Sequence, residues 1–251
     1  MSCTRQQLNA FFDDLLAPQR FKDYCPNGLQ VEGKTDVRHL VTGVTASQAL
    51  IDAARDRGAD AILVHHGYFW RSEPPCITGM KAARLRALIK ADINLFAYHL
   101  PLACHPLHGN NAALGRLMGI EACEALDLQD PGTPVFRGQL EESVTVQGLA
   151  DRLGVALDRT PLVIGEGDVK SVAWCTGAGQ GYIDLAADAG VDVYVTGEVS
   201  EQTAHVALER GIAFIGAGHH ATERYGVQAV GSLAAAELGL SHEFIDIDNP
   251  A

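Results

Sequence analysis

Two segments of this 251-residue chain align without a gap at a shift of 132 residues. Residues 37–66 read VRHLVTGVTASQALIDAARDRGADAILVHH, and residues 169–198 read VKSVAWCTGAGQGYIDLAADAGVDVYVTGE. Val37, Gln48, Ile51, Asp52, Ala54, Asp56, Gly58 and Asp60 match Val169, Gln180, Ile183, Asp184, Ala186, Asp188, Gly190 and Asp192. Apolar character is shared at Leu40 with Val172 and at Ile62 with Tyr194. These identities exceed what common Ala and Gly content supplies, so they argue for a true duplication rather than for the composition shared by all βαβ units.

Each copy reads as strand, helix, strand. Ala49, Ile51, Ala53 and Ala54 fall at helical spacing, and Gly58 and Gly190 are placed to end the helices. The next strands, residues 61–64 and 193–195, are short and apolar, as buried parallel strands are. Residues 82–91 then lead as a helix into Ile93, Asn94, Leu95 and Phe96. Residues 201–210 lead likewise into Ile212, Ala213, Phe214 and Ile215. The pattern is βαβαβ twice, which predicts two α/β units with mixed, mostly parallel sheets.

The division expected is a first repeat over residues 1–125 and a second over 126–251, with the C-terminus packing back on the first. At the start, Thr4 and Gln7 read as a capping box for a helix with Leu8, Phe11, Phe12 and Leu15 on one face. Between the copies, turn residues Asp130, Pro131 and Gly132 precede a helix near residues 146–153 with strands on either side.

Composition removes several function classes. No run of ~18 apolar residues is present, so no membrane span is expected. The opening MSCTRQQLNAFF lacks the order of a signal peptide. The six cysteines form no CxxC pair, and with no signal peptide they read as reduced thiols in the cytoplasm. A net charge of −12 repels phosphate backbones and opposes a nucleic-acid partner.

The chemistry-bearing residues fall just past the predicted strands, where open α/β sheets bind ligands. His65 and His66 follow Val64. His99, His105 and His108 lie in AYHLPLACHPLHGNN after Phe96. Gly197 and Glu198 follow Val195, and GAGHHATE, with His219, His220 and Glu223, follows Ile215. Seven of the ten histidines lie in these loops; His39, His205 and His242 lie elsewhere and are given plain structural roles.

Neighbouring histidines on a strand point to opposite faces, but a turn at the strand end can swing both into one cleft. His219 and Glu223 share a face if a helix begins at their loop. Either pair alone is weak evidence. On equivalent strand ends of a duplicated unit, His65, His66, His219 and Glu223 together predict a metal site. Imidazole and carboxylate donors accept zinc, iron, manganese or nickel, so the ion is not specified.

The run TGAGQG at residues 176–181 opens a helix and reads either as a tight turn or as an anion site. It lacks a dinucleotide fingerprint, because Tyr182 stands where the third Gly would fall. No GxSxG sequence supports a serine hydrolase.

Read as a set, these motifs resemble those of the YbgI-like dinuclear-metal-centre proteins, also called the Nif-three-like family, many of which are known as GTP cyclohydrolase I type 2 homologs. The markers are Asn27-Gly28-Leu29-Gln30-Val31, VTGVTASQAL at Val41, VHHGYFW at Val64, HLPL at His99 and GNNA at Gly109. AWCTG at Ala173, TGEVSEQTAH at Thr196 and GHHATER at Gly218 complete them. The resemblance spans nearly the whole chain.

It implies two intertwined α/β repeats, a homohexameric ring and a pair of metal ions facing its interior, with ligands falling on His65, His66, His219 and Glu223. One family ligand is missing. The motif H-x-P-x-D or H-x-N-x-D reads here His99-Leu100-Pro101-Leu102-Ala103, and Ala103 cannot coordinate through its side chain. Cys104, His105 or water would have to fill that position, so one or two divalent ions per chain are expected.

The function expected is metal-dependent hydrolysis of a nucleotide or another phosphorylated small molecule. The alternative is a non-catalytic metal-binding ring acting as scaffold, store or regulator.

Overall fold

Helix formation begins at Thr4. In the computed structural model, which describes residues 2–127 and 133–251, Thr4 Oγ1 accepts the Gln7 N–H and the Gln7 side chain accepts the Thr4 N–H. This is the reciprocal cap that the sequence predicts. The chain then runs β1 (Cys3–Thr4), α1 (Arg5–Leu16), β2 (Gly28–Val31), β3 (Asp36–Val37), β4 (His39–Thr45), α2 (Gln48–Asp56), β5 (Ala61–His66), α3 (Gly79–Ala91), β6 (Asn94–Ala97) and α4 (Leu100–Cys104).

It continues through α5 (Asn110–Met118), β7 (Cys123–Ala125), β8 (Phe136–Thr145), α6 (Val146–Leu157), β9 (Leu162–Ile164), β10 (Asp168–Cys175), α7 (Ile183–Asp188), β11 (Val193–Thr196), α8 (Glu201–Arg210), β12 (Ala213–Gly216) and α9 (His219–Thr222). The last elements are α10 (Arg224–Leu238) and β13 (Ser241–Phe244). The turn expected at Asp130, Pro131 and Gly132 lies outside the described residues.

Two units result. One takes the chain up to Leu102 together with Gly226–Asp248, and the other takes Ala103–Tyr225 with Asn249–Ala251. The first holds a sheet ordered β13-β4-β5-β6-β2. Its strands β13, β4, β5 and β6 are parallel, and β2 is antiparallel. The second holds a sheet ordered β7-β8-β10-β11-β12-β9, in which β10, β11 and β12 are parallel and the neighbouring β8 and β9 run against them.

The duplication is a structural fact down to strand register. Leu40 pairs with Ala61 and Gly43 with Val64, and 132 residues later Val172 pairs with Val193 and Cys175 with Thr196. It also reaches further upstream than the aligned segments show. Helix α1 leads to antiparallel β2, and α6 leads to antiparallel β9. Both helices are capped by a threonine, Thr4 and Thr145, and both end on a left-handed residue, Ala17 and Asp158.

Alternation along each parallel strand buries both faces. In the first unit Val41, Ile62, Val64 and Leu95 pack against Leu50 and Ile51 of α2 and Leu85 and Leu88 of α3. The opposite face, with Leu40, Leu63 and Phe96, packs on Leu8 and Phe12 of α1 and Val227 and Val230 of α10. Covering on both sides explains why these strands read as continuous apolar runs. The second unit repeats the plan, with Ala173 and Tyr194 against α7 and Val172, Trp174 and Val195 against α6.

One polar device is also duplicated. Asp60 Oδ2 accepts the N–H groups of Arg38 and His39, and Asp192 Oδ2 accepts those of Lys170 and Ser171. Each aspartate thus ties the start of the next strand to the start of the one before. The three histidines given plain roles fit them. His242 Nε2 meets Thr42 Oγ1 at 2.9 Å, and His205 pairs with Glu201 on the exposed face of α8. His39 opens β4, where its N–H is one of the two that Asp60 accepts.

The six cysteines are free. Among the described residues no helix is long and apolar enough to cross a membrane.

Candidate metal centre

His65 and His66 end β5, and their rings lie 4.6 Å apart. The strand end therefore turns both toward one side, against the ordinary alternation of a strand. Gly67 permits the turn, since a Cβ there would stand 2.2 Å from Gln30 Oε1 and 2.6 Å from the Ala97 Cβ. His99, just past β6, brings a third ring within 5.0 Å of His65 and 5.9 Å of His66. One ligand atom from each of the three lies within 4.8 Å of the others.

Each ring is steered by a partner on Nδ1. His65 Nδ1–H donates to the Tyr98 carbonyl at 3.0 Å, which leaves the lone pair on Nε2. His66 Nδ1 meets Thr45 Oγ1 at 3.2 Å, its neighbour across the β4–β5 pair. His99 Nδ1 lies 2.9 Å from Asp23 Oδ1. Imidazoles whose second nitrogen is fixed by an outer partner are the arrangement metal-ligating histidines use. The donor set therefore fits a divalent ion.

Asp23 holds this arrangement. Its oxygens accept from His99, Asn27 and the N–H groups of Tyr24 and Leu100. Burial alone would raise its pKa, but the contacts with His99, Asn27 and Leu100 outweigh burial and bring it to about 2. Asp23, Cys25 and His99 also lie close enough to suggest a second trio of ligands. Asp23 is already saturated, however, and the Cys25 thiol is pushed up to about 12 by burial and by Asp23 itself. Asp23 acts as the outer carboxylate of His99.

The second unit holds His219 and Glu223. They bracket the short helix α9 and meet at 3.1 Å through His219 Nε2, so the predicted shared face is present. On its other side His219 Nδ1 lies 2.7 Å from Glu198 Oε1, and Gln180 Nε2 donates to Glu198 Oε2 at 3.1 Å. Burial would lower the His219 pKa, but Glu223 and Glu198 together raise it to about 9. The two flanking carboxylates therefore favour the charged form of the His219 ring.

Glu223 is 3% exposed, and it fits only because residue 177 is Gly. A Cβ there would stand 2.1 Å from Glu223 Oε1, and Gly177 has φ +70°. The Gly177 and Gly179 N–H groups donate to Thr222 Oγ1 and Thr196 Oγ1. The TGAGQG run is thus a tight turn that makes room for a carboxylate, and those two N–H groups are turned to threonines rather than to an anion.

Ala103 is buried on α4, and its carbonyl accepts from Asn111. Of its two proposed substitutes, His105 is committed elsewhere. Its Nδ1 accepts the N–H groups of Leu107 and His108, and burial, then His108, lowers its pKa. With its Nδ1 lone pair used by these N–H groups, His105 does not offer that nitrogen to a metal, and Cys104 and water remain.

Of the four residues the sequence proposed as ligands, the structure brings His65 together with His66 and His219 together with Glu223, in separate units. His99 was visible as the head of HLPL, placed after β6 as His65 and His66 are placed after β5. Asp23 carried no sequence signal, being 76 residues from the histidine it orients.

Strand-end histidines with outer partners in one unit and a His–Glu pair in the other, on a duplicated and mostly parallel fold, define an α/β protein with candidate metal ligands at the carboxyl ends of the strands of each unit. The chain belongs to the Duf34/NIF3 (NGG1p interacting factor 3) family, whose profile matches residues 3–250. It is 52% identical over 248 residues to the GTP cyclohydrolase 1 type 2 homolog of Haemophilus influenzae, across 98% of each chain. Its fold is similar to that of the solved protein ybgI, described as of unknown function, with 48% identity and a TM-score of 0.94 over 99% of this chain and 100% of that one. The solved protein TTHA1606 from Thermus thermophilus is also similar, at 36% identity and a TM-score of 0.91 over 99% and 100% of the chains. The resemblance read from the motifs is borne out.

Proposed function

We propose that this protein binds divalent metal through His65, His66, His219 and Glu223, with His99 added to the set, and uses it to hydrolyse a nucleotide or another phosphorylated small molecule. The observation that carries this reading is the orientation of His65, His66 and His99, whose Nδ1 atoms are tied outward. A bound divalent ion would supply Lewis acidity and lower the pKa of water. The protein's own contribution is to hold the donors. Tyr98, Thr45 and Asp23 fix the ring planes, and Glu198 orients His219 and remains as a partner for a transferred proton.

The name of the H. influenzae relative points to GTP as the first substrate to test. Purified protein, loaded in turn with zinc, manganese, iron or nickel, is incubated with GTP and a panel of phosphoesters. Turnover that disappears with chelator and returns with metal is the expected result. Firm metal binding with no turnover on any substrate favours a second reading, a non-catalytic metal-holding scaffold, store or regulator. Ala103 supports that alternative, because it removes a carboxylate from the position where the family motif has one. A homohexameric ring is proposed for either reading, and sedimentation giving a monomer at micromolar concentration would reject it.

A further inference from the structure

The two copies of the repeat differ most between β5 and β6. The shift between equivalent residues is 132 from β5 to β11 but 119 from β6 to β12, so the first copy carries thirteen extra residues there. Most fall in the loop 67–78, whose counterpart in the second copy is only 199–200.

This loop is firmly held. Gln30 accepts the Tyr68 N–H at 2.7 Å and donates to the Tyr68 carbonyl at 3.1 Å, while Tyr68 OH donates to the Ala46 carbonyl at 2.6 Å. Glu73 accepts the Phe69 N–H and pairs with Lys81, which lies 4.7 Å above the Phe69 ring. Phe69 has φ +65°, a left-handed conformation costly for an aromatic residue and found where surrounding structure enforces it, often at functional sites.

The result is an aromatic wall beside the histidines. The Trp70 ring lies 5.0 Å from His99 and 6.0 Å from His66, and Tyr24 lies 5.1 Å from His99. Tyr24 and Trp70 are 6.0 Å apart with ring planes at 34°, and Tyr24 is 51% exposed. With Arg71 and Ser72 they line a cavity of about 320 Å³. Arg71 is anchored beside it, its N–H donating to the Tyr24 carbonyl and its guanidinium to the Asp23 carbonyl.

We propose that Tyr24 and Trp70 form a stacking subsite for the nucleobase of the substrate. This rests on the reading of the histidine cluster as a site for nucleotides and adds the feature that holds the base. The cavity lies near the lower end of the ~300–1,000 Å³ range of small-molecule sites, a size for one ring system rather than a whole nucleotide. The aromatic pair already touches, so the base lies on their joint face and not between them. The Trp70 indole N–H donates to the Gly67 carbonyl. Recognition at Trp70 is therefore by the ring face, and every base offers one.

The test uses the full-length protein as purified, and again after chelation, with binding followed by calorimetry. Guanosine monophosphate and ribose 5-phosphate are the probes. Guanosine monophosphate binds more tightly than ribose 5-phosphate under both conditions. Tyr24→Ala and Trp70→Ala each weaken it about ten-fold or more, and Trp70→Phe retains most of the affinity. Trp174 is fully buried, so guanosine monophosphate quenches the fluorescence of Trp70. Equal affinity for the two probes overturns the proposal. So does base binding unchanged in Tyr24→Ala, a variant that removes an exposed side chain and keeps the fold. Because no turnover is read, base binding by a protein that hydrolyses nothing overturns the hydrolase reading alone.

Discussion

The Nδ1 atom of His99 stands 2.9 Å from Oδ1 of Asp23, and this contact decides which nitrogen His99 offers to the cluster. Asp23→Asn replaces the carboxylate with a group that can still hydrogen-bond but no longer favours the Nδ1–H form by charge. Losses of about 10–100-fold in metal affinity are typical when an outer partner of this kind is removed. Calorimetric titration of the chelated protein with zinc should give a loss in that range, with circular dichroism unchanged. Wild-type affinity in Asp23→Asn would mean that His99 is not a ligand.

His219 and His205 provide a paired control. His219 is held between Glu198 and Glu223, whereas His205 pairs with Glu201 on an exposed helix face. His219→Ala is expected to remove most of the bound metal by elemental analysis and His205→Ala to remove none. Equal loss in the two variants would refute the assignment.

Gly177 is constrained twice, by its φ of +70° and by the carboxylate that would meet its Cβ at 2.1 Å. Gly177→Ala should lower stability by roughly 1–3 kcal/mol through the backbone conformation alone. It should also displace Glu223 and reduce the metal content. A variant with unaltered melting temperature and metal content would show that the turn has more freedom than this geometry allows.

Asp60 and Asp192 predict a pH dependence. Burial would raise both pKa values, but the strand N–H groups, with Lys34 at Asp60 and the Ser171 hydroxyl at Asp192, bring both below the ordinary value. A carboxylate depressed in the folded state contributes stability above its unfolded pKa of ~3.9 and loses it as pH falls through the folded value. Asp60→Asn should cost roughly 1–2 kcal/mol at pH 7, Asp192→Asn clearly less because Asp192 is exposed and solvent screens its charge, and both costs should shrink as the pH falls below 4. Urea midpoints measured from pH 7 to pH 3 check this. A cost independent of pH would assign the effect to shape rather than charge.

The fold was legible because its periodicities are strong. Strands covered on both faces read as short apolar runs, and the duplication exposed the βαβ order twice. The first helix and the one opening at Val146 were also visible, but their equivalence was not. Thr4 and Thr145 share a role and little surrounding sequence. His65, His66, His219 and Glu223 could be chosen because they follow strands directly. Asp23 could not, because an aspartate between two elements looks like any surface aspartate until the chain folds it against His99. Gly177 was ambiguous for a related reason: the carboxylate it accommodates comes from 46 residues further along.

Ala103 yields the most decisive prediction. In the family motif this position holds an aspartate, whose charge would offset repulsion between two neighbouring dications and complete a coordination shell. Without it at least one ion is a ligand short and the repulsion is less screened. The structure commits His105 Nδ1 to backbone N–H groups, so Cys104 and water are the substitutes left. One firmly held ion per chain and a second, weaker one are expected. If Cys104 completes the second position, thiolate-preferring ions such as zinc are favoured, and Cys104→Ser lowers the metal count. If nothing completes it, Cys104→Ser has no effect and Ala103→Asp raises the count towards two. Elemental analysis of wild type and both variants, after equilibration with zinc and separately with manganese, distinguishes these outcomes. Two tightly held ions in wild type, unchanged by either substitution, would place the missing ligand outside α4 and overturn the view that Ala103 weakens the centre.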